Sequence, residues 1–315
     1  MGDHLVKTEV LLAVCDGAAH LSPLLDSLSA QTAEDFTVLV QDDGSKDETP
    51  ALLAERYARD SRFRSGRESG CHLGAAGNFL SLIRQTEADY ALLCDQDDIW
   101  EPEKIAVLRE AMERAEKEYG SGMPLLVHSD CSVISEGGDL QAPSFFRHQG
   151  WDPAAVTLPR LLVQNNVTGC TLIMNRPLLD LVAAHGRAKD LFMHDWFIAL
   201  TAAAFGRVVF VDQPLTRYRQ HEGNIIGASK KSLPARALQA LGQRDKARRR
   251  VLLTYTHTQV FCRLYGDALP EEARSLTDQY LATRKMRKIP RVLAVRRLGC
   301  LMQSPVTRMG QMLFG

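Results

Sequence analysis

The stretch "YALLCDQDDIWEPEKIAVLREAMERAEKEY", Tyr90 to Tyr119, sets an apolar run, a crowd of acids and a long amphipathic segment in immediate succession. Tyr90–Cys94 reads as a buried strand. Glu101–Tyr119 reads as a helix, with Pro102 near its start and apolar residues at helical spacing. Asp95, Asp97 and Asp98 stand between the two. Like charges that close repel unless water, a cation or a metal compensates them. Taken alone, such a cluster is as well explained by a solvated turn as by a site.

The same order recurs upstream. "EVLLAV" (Glu9–Val14) reads as a strand, and "SPLLDSLSAQ" (Ser22–Gln31) as a helix with Ser22 as N-cap and Pro23 at its first position. "FTVLVQ" (Phe36–Gln41) is a second strand, Asp47-Glu48-Thr49-Pro50 opens a helix to about Arg59, and Gly74–Thr86 is a third helix. This alternation predicts an α/β fold with a mostly parallel central sheet covered by helices. Beyond about residue 125 the pattern loosens. Pro124–Ile134, Gly169–Met174 and Arg207–Asp212 read as strands, and "DWFIALTAAAF" (Asp195–Phe205) as a helix. Past Gly227 come basic helices with breaks near Pro234, Gly242, Pro270 and Pro290. The expected division is an α/β domain over residues 1–227 and a basic helical C-terminal extension over 228–315.

The chain of 315 residues has no formal net charge, yet residues 228–315 carry 18 Lys/Arg against 5 Asp/Glu. Such a split points to a polyanionic surface as partner for the basic part. Seven scattered cysteines with no C-x-x-C pair argue against a disulfide framework or zinc site and for a reducing compartment. No signal peptide precedes the first strand, and no apolar run approaches the roughly 20 residues that span a bilayer. A cytoplasmic protein is expected, and the sequon at Asn166 is given no weight.

"QDDGS" (Gln41–Ser45) and "DQDD" (Asp95–Asp98) both follow strands. Ligands of open α/β sheets bind beyond the carboxyl ends of strands, so both clusters should border one crevice. The first strand leads into "AVCDGAAH" (Ala13–His20) in place of a G-x-G-x-x-G loop, and no Walker loop occurs. That speaks against a dinucleotide-dependent oxidoreductase. Carboxylates in place of a glycine cradle suit Mg²⁺ or Mn²⁺ shared with phosphate oxygens.

With these residues in view, the chain from about Thr8 to Gly227 resembles the family 2 glycosyltransferases. "QDDGSKDET" is similar to the family's V-D-D-G-S-x-D signature, and "CDQDDIWEPEKI" to its D-x-D motif followed by a Trp and a Pro-x-Lys helix start. "NFLSLI", "NNVTGCTLIMNRPLL", "HDWFIAL" and "PLTRYRQHEGNIIG" resemble its rhamnosyltransferase branch. The resemblance implies a GT-A fold, Rossmann-like, and inverting, metal-dependent sugar transfer. It implies that Val14 and Asp16 line the nucleobase pocket, where the aromatic that the family often has at Cys15 or Asp16 is missing. Asp43 would accept a hydrogen bond from base or ribose, and Asp95 would contact ribose or sugar. Asp97 would hold the Mg²⁺ or Mn²⁺, with His221 completing the coordination or touching the diphosphate. Arg219 would be a charge-assisted partner of the diphosphate, and Asp195 the catalytic base.

Bland readings stand beside these. Asp42 and Asp43 can cap a turn, Asp195 can cap its helix, and Trp100 and Trp196 can be packing anchors. The implied donor is dTDP-L-rhamnose, with a UDP- or GDP-hexose as alternative, and the implied acceptor a cell-surface glycan or glycolipid such as lipopolysaccharide or exopolysaccharide. For the basic extension three partners stay open: solvent or a second copy, an anionic membrane leaflet on the cytoplasmic side, and nucleic acid, which no recognised module accompanies. A catalytically idle scaffold acting through that extension is the rival from another class.

Overall fold

β1 (Thr8–Val14) is buried on both faces, and its alternation sorts the core: Val10, Leu12 and Val14 join one apolar cluster, Leu11 the other. Successive strand side chains point to opposite faces, so a strand covered on both sides reads as one continuous apolar run. The computed structural model describes residues 6–191, 193–220 and 244–314. After β1 come α1 (Ala18–Ser29), β2 (Phe36–Asp42), α2 (Thr49–Arg59), β3 (Phe63–Ser65), α3 (Gly74–Gln85), β4 (Tyr90–Asp95), β5 (Ile99–Trp100) and α4 (Lys104–Tyr119). There follow β6 (Leu125–Ile134), β7 (Leu140–Ala142), α5 (Phe145–Gln149), α6 (Leu158–Leu161), β8 (Leu172–Asn175), α7 (Arg176–His185), α8 (His194–Phe205) and β9 (Arg207–Arg219). Four helices close the chain: α9 (Arg244–Tyr265), α10 (Glu271–Thr283), α11 (Lys288–Arg297) and α12 (Pro305–Phe314).

The described strands form a nine-stranded sheet in the order β3-β2-β1-β4-β8-β6-β9-β5, with β7 on β6. β3, β2, β1 and β4 run parallel, and β6 runs parallel to β9. β8 lies antiparallel between β4 and β6. The parallel part brings the ends of β1, β2 and β4 to one edge, where both acidic clusters emerge. α1 and α4 cover one face; α3, α7 and α8 cover the other.

Three local readings differ from the observed elements. Gly169–Met174, read as a strand throughout, opens with a 3-10 turn over Gly169–Thr171, and the strand starts at Leu172. α1 begins at Ala18, so Pro23 lies inside the helix and Ser22 is not its cap. The helix start is capped from a distance: Thr49 Oγ1 accepts from the Gly17 N–H at 2.9 Å and Asp47 from the Ala18 N–H at 2.9 Å. β9 runs on to Arg219 because β6 stays paired with it to Ile134, which faces Arg219, while β5 adds a second partner, Ile99 facing Arg217 and Trp100 facing Thr216.

The C-terminal helices share the core of the sheet. Val251, Tyr255, Phe261 and Tyr265 of α9 belong to the cluster that holds Trp196, Phe197 and Ile198 of α8. Trp196 and His257 rings lie 4.3 Å apart, and the Thr201 and Tyr265 hydroxyls share a hydrogen bond of 2.8 Å. Among the described residues no helix is long and apolar enough to cross a membrane.

Candidate active site

The loops after β1 and β2 are laced together by side chains. Asp42 accepts from Ser45 N–H and hydroxyl at 2.9 and 2.6 Å, closing the Asp-Asp-Gly-Ser turn. Asp16, at φ 47°, accepts from the Lys46 N–H at 2.7 Å and donates its own N–H to Ser45 at 2.8 Å. Asp43 carries both oxygens to the start of α3, accepting from Leu73 at 2.5 Å and Gly74 at 2.7 Å. Gly44 has φ 94°, and a Cβ there would strike the His72 imidazole. Gln96 joins the acidic turn to the β1 loop through a paired amide contact, accepting from Cys15 N–H at 2.7 Å and donating to Cys15 C=O at 2.9 Å.

Below the acidic turn lies a buried cation. The Lys104 ammonium donates to Cys170 C=O at 2.5 Å and to Thr216 Oγ1 at 2.8 Å, and sits 3.4 Å over the Trp100 ring. Burial pushes Lys104 down to about 8 and Asp98 up to about 7, while their opposite charges work against both shifts. Burial, then repulsion from Asp98 and Asp97, holds the Asp95 carboxyl well above the usual carboxylate range. Ligand atoms of Asp95, Asp98 and Cys170 lie within 4.8 Å of one another, and Asp98 Oδ2 is buried without a hydrogen-bond partner. A bare buried carboxylate oxygen among other carboxylates suits a hard divalent cation. The Cys170 thiol, kept protonated by burial, does not.

Asp195 stands in the first turn of α8, where helix N-terminal amides favour an anion. The Trp196 N–H donates to it at 2.6 Å. Burial nevertheless lifts its carboxyl to about 7, against the lowering effect of hydrogen bonds from the Trp196 and Gly169 N–H groups and the Asn165 side chain. A Cβ on Gly169 would lie 3.2 Å from His194 Nε2 and 3.5 Å from Asp195 Cβ, so glycine lets the two segments approach. His194 stacks on Phe79 at 4.3 Å, and burial pushes it down to about 4.

Val14, Asp43, Asp95, Asp97 and Asp195 line one cavity of about 410 Å³. They come from the ends of β1, β2 and β4 and from the start of α8. Two other predicted residues lie elsewhere. Asp16 bridges the two loops, outside the cavity lining. Arg219 is buried, with its guanidinium on the carbonyls of Asp97 (2.9 Å) and Glu136 (2.6 Å), and its N–H donates to Asp98 at 3.2 Å. In this position it braces the acidic turn. His221 lies outside the described residues.

Sequence reasoning passed over several residues that build the site. Phe145, Trp151 and Tyr218 form an aromatic wall, with ring contacts of 5.8 and 6.2 Å centred on Phe145. Asp130 places that wall by accepting from the Phe145 N–H at 3.2 Å and from the Ser144 hydroxyl. Asn166 lines the cavity and accepts from Gln303, after α11, at 2.7 Å. Lys104 left a trace as the last residue of Glu101-Pro102-Glu103-Lys104, and Asn166 and Tyr218 stand inside the quoted stretches "NNVTGCTLIMNRPLL" and "PLTRYRQHEGNIIG" without a role assigned to them.

Residues 10–125 match the model of "Glycosyl transferase family 2". The dTDP-rhamnosyl transferase RfbG of Shigella flexneri is 25% identical over 228 residues, covering 69% of this chain and 74% of that protein. The putative glycosyltransferase EpsH of Bacillus subtilis is 24% identical over 233 residues, covering 71% of this chain and 64% of that one. Among solved structures, Staphylococcus aureus TarS 1–349 in complex with UDP superposes with a TM-score of 0.57 at 15% identity, covering 98% of this chain and 88% of that one. That likeness concerns the fold, which is of the GT-A kind.

Proposed function

Since the chain is a glycosyltransferase with a family 2 domain at residues 10–125, we propose that it moves L-rhamnose from dTDP-L-rhamnose onto a cell-surface glycan or glycolipid. The observation that carries the reading is the convergence of Asp43, Asp95, Asp97 and Asp195 on one cavity. Asp195 takes the proton of the acceptor hydroxyl as that oxygen attacks the anomeric carbon. A carboxyl lifted to about 7 by burial is a fitting general base near neutral pH. Asn165 and the backbone at Gly169 orient it, and the wall of Phe145, Trp151 and Tyr218 keeps water from the attacked carbon. Inversion in one displacement needs no covalent nucleophile.

Asp95, Asp97 and Asp98 would hold a divalent cation, Mg²⁺ or Mn²⁺. When bound, that ion neutralises charge developing on the departing nucleoside diphosphate. Val14 and Cys15 border the donor's nucleoside end. Asp43 keeps α3 against it through the Leu73 and Gly74 amides.

The rhamnosyl donor rests on the Shigella relative; a UDP- or GDP-hexose is the alternative. In this reading residues 1–227 carry the chemistry, and 228–315 hold the enzyme on the anionic cytoplasmic face of a membrane. A panel of nucleotide sugars with and without Mn²⁺ or Mg²⁺, read by thermal shift, tests the donor, because a ligand of the native state raises the melting temperature. dTDP-L-rhamnose with a divalent ion should give the largest shift. A larger shift with a UDP- or GDP-hexose would replace the sugar, and no shift with any donor would leave an idle scaffold.

A further inference from the structure

Ile289 and Leu293 stand one helical turn apart on α11 with 74% and 61% of their surface exposed, and Met286 just before the helix is 39% exposed. Residues four apart share a helix face. Arg297 follows Leu293 by four and Arg296 by three, and both are exposed, so the apolar pair is flanked by cations on that face. The opposite side of α11 is anchored: Val295 is buried in the core cluster, and Val292 and Val295 meet Val251 and Tyr255 of α9 across a small gap. From Gln279 to the end the sequence has no Asp or Glu, while Arg284, Lys285, Arg287, Lys288, Arg291 and the arginine pair crowd the helix and its approach.

We infer that α11 is the element that contacts an anionic lipid surface, with Ile289 and Leu293 entering the headgroup boundary and the flanking cations meeting phosphates. The inference deepens the membrane attachment proposed above and rests on it. Cations around an apolar strip are complementary to an interface that offers negative charge outside and hydrocarbon beneath. A soluble polyanion would use the charges and leave both aliphatic side chains in water, and no aromatic platform for bases stands on this helix. A second copy of the same face would bring like charges together. The coupling to the site is direct: Gln303, six residues past α11, accepts from the Asp152 N–H at 2.7 Å and donates to Asn166 on the cavity wall at 2.7 Å. A docked α11 therefore sets the cavity at a fixed position relative to the membrane plane.

Co-sedimentation of the full chain with vesicles of phosphatidylglycerol and phosphatidylcholine, against phosphatidylcholine alone, tests this. Binding should require the anionic lipid and weaken with salt. The double variant I289D/L293D should lower the partition coefficient by roughly tenfold or more, and R296Q/R297Q by a similar factor. Both variants should keep the nucleotide-sugar thermal shift, which separates this inference from the proposed chemistry. Equal binding by I289D/L293D and the parent protein would overturn it, as would absence of binding to anionic vesicles. A dimer that dissociates in I289D/L293D without lipid would reassign the face to a second copy. Duplex DNA displacing the vesicles at equal charge concentration would reassign it to nucleic acid.

Discussion

The Lys104 ammonium lies 2.5 Å from the Cys170 carbonyl oxygen, and this contact ties the start of α4 to the segment that approaches Asp195. It is made in the buried interior, beneath Asp95 and Asp98, whose repulsion it offsets. One side chain thereby joins the acidic turn, the Gly169–Thr171 turn and β9.

Lys104→Met keeps the volume and removes the charge. It takes the ammonium donor from Thr216 Oγ1, leaves Cys170 C=O with the Thr216 hydroxyl alone at 3.3 Å, and leaves the carboxylates without their counter-ion. Breaking a buried ionic arrangement from one side costs about 3–5 kcal/mol. Urea unfolding should show a loss of that order, partly restored by millimolar Mn²⁺. A loss below about 1 kcal/mol would mean the ammonium is dispensable.

Asp195→Asn should be stabilising at high pH and neutral at low pH. Burial holds the folded-state carboxyl at about 7 against an ordinary 3.8, so the fold binds this proton more tightly than the unfolded chain does. The stabilising contribution is whole below 3.8 and is lost as pH rises through about 7. The variant should exceed the parent protein by on the order of 2–4 kcal/mol near pH 8 and match it near pH 4. His194, pushed down to about 4, titrates in the opposite sense but is common to both proteins and cancels. A pH-independent difference in melting temperature would contradict the assignment.

Transfer by the same variant should fall roughly 10²–10⁴-fold, the usual contribution of a general base, with donor affinity little changed. In the parent protein kcat should rise with pH through about 7 as Asp195 ionises.

Asp97→Asn and Asp98→Asn separate the two acids of the turn as cation ligands. Asp97 lines the cavity, whereas Asp98 offers a buried oxygen without a donor. Both substitutions should weaken Mn²⁺ binding, measured by the loss of free-ion EPR signal on titration. Only Asp98→Asn should also loosen Arg219, whose N–H it accepts at 3.2 Å, and lower the melting temperature.

Gly169→Ala tests the close approach at the base. The added methyl, 3.2 Å from His194 Nε2, should push Asp195 out of place and lower kcat at least tenfold while costing about 1–3 kcal/mol of stability. Unchanged kcat would show that the segment yields without moving the carboxylate.

Much of the fold was legible in the chain. Apolar runs such as Glu9–Val14 and Tyr90–Cys94 found their strands, and the spacing in α4 found its helix. The placing of acids directly after β2 and β4 foretold a shared edge, because parallel strands deliver their carboxyl ends to the same side. β3, β5 and β7 were missed. With 3, 2 and 3 residues they are too short for a period and exist only because a neighbouring strand offers hydrogen bonds.

Residue identities thus determined where carboxylates could gather and which runs had to be buried. Tertiary structure alone decided what each acid does. Asp43 grips amides 30 and 31 residues away, Gln96 clasps Cys15 81 residues back, and Arg219 turns to carbonyls 83 and 122 residues distant. Hydrogen bonding and desolvation depend on which groups face each other in space, and no local pattern encodes that for partners so far apart along the chain.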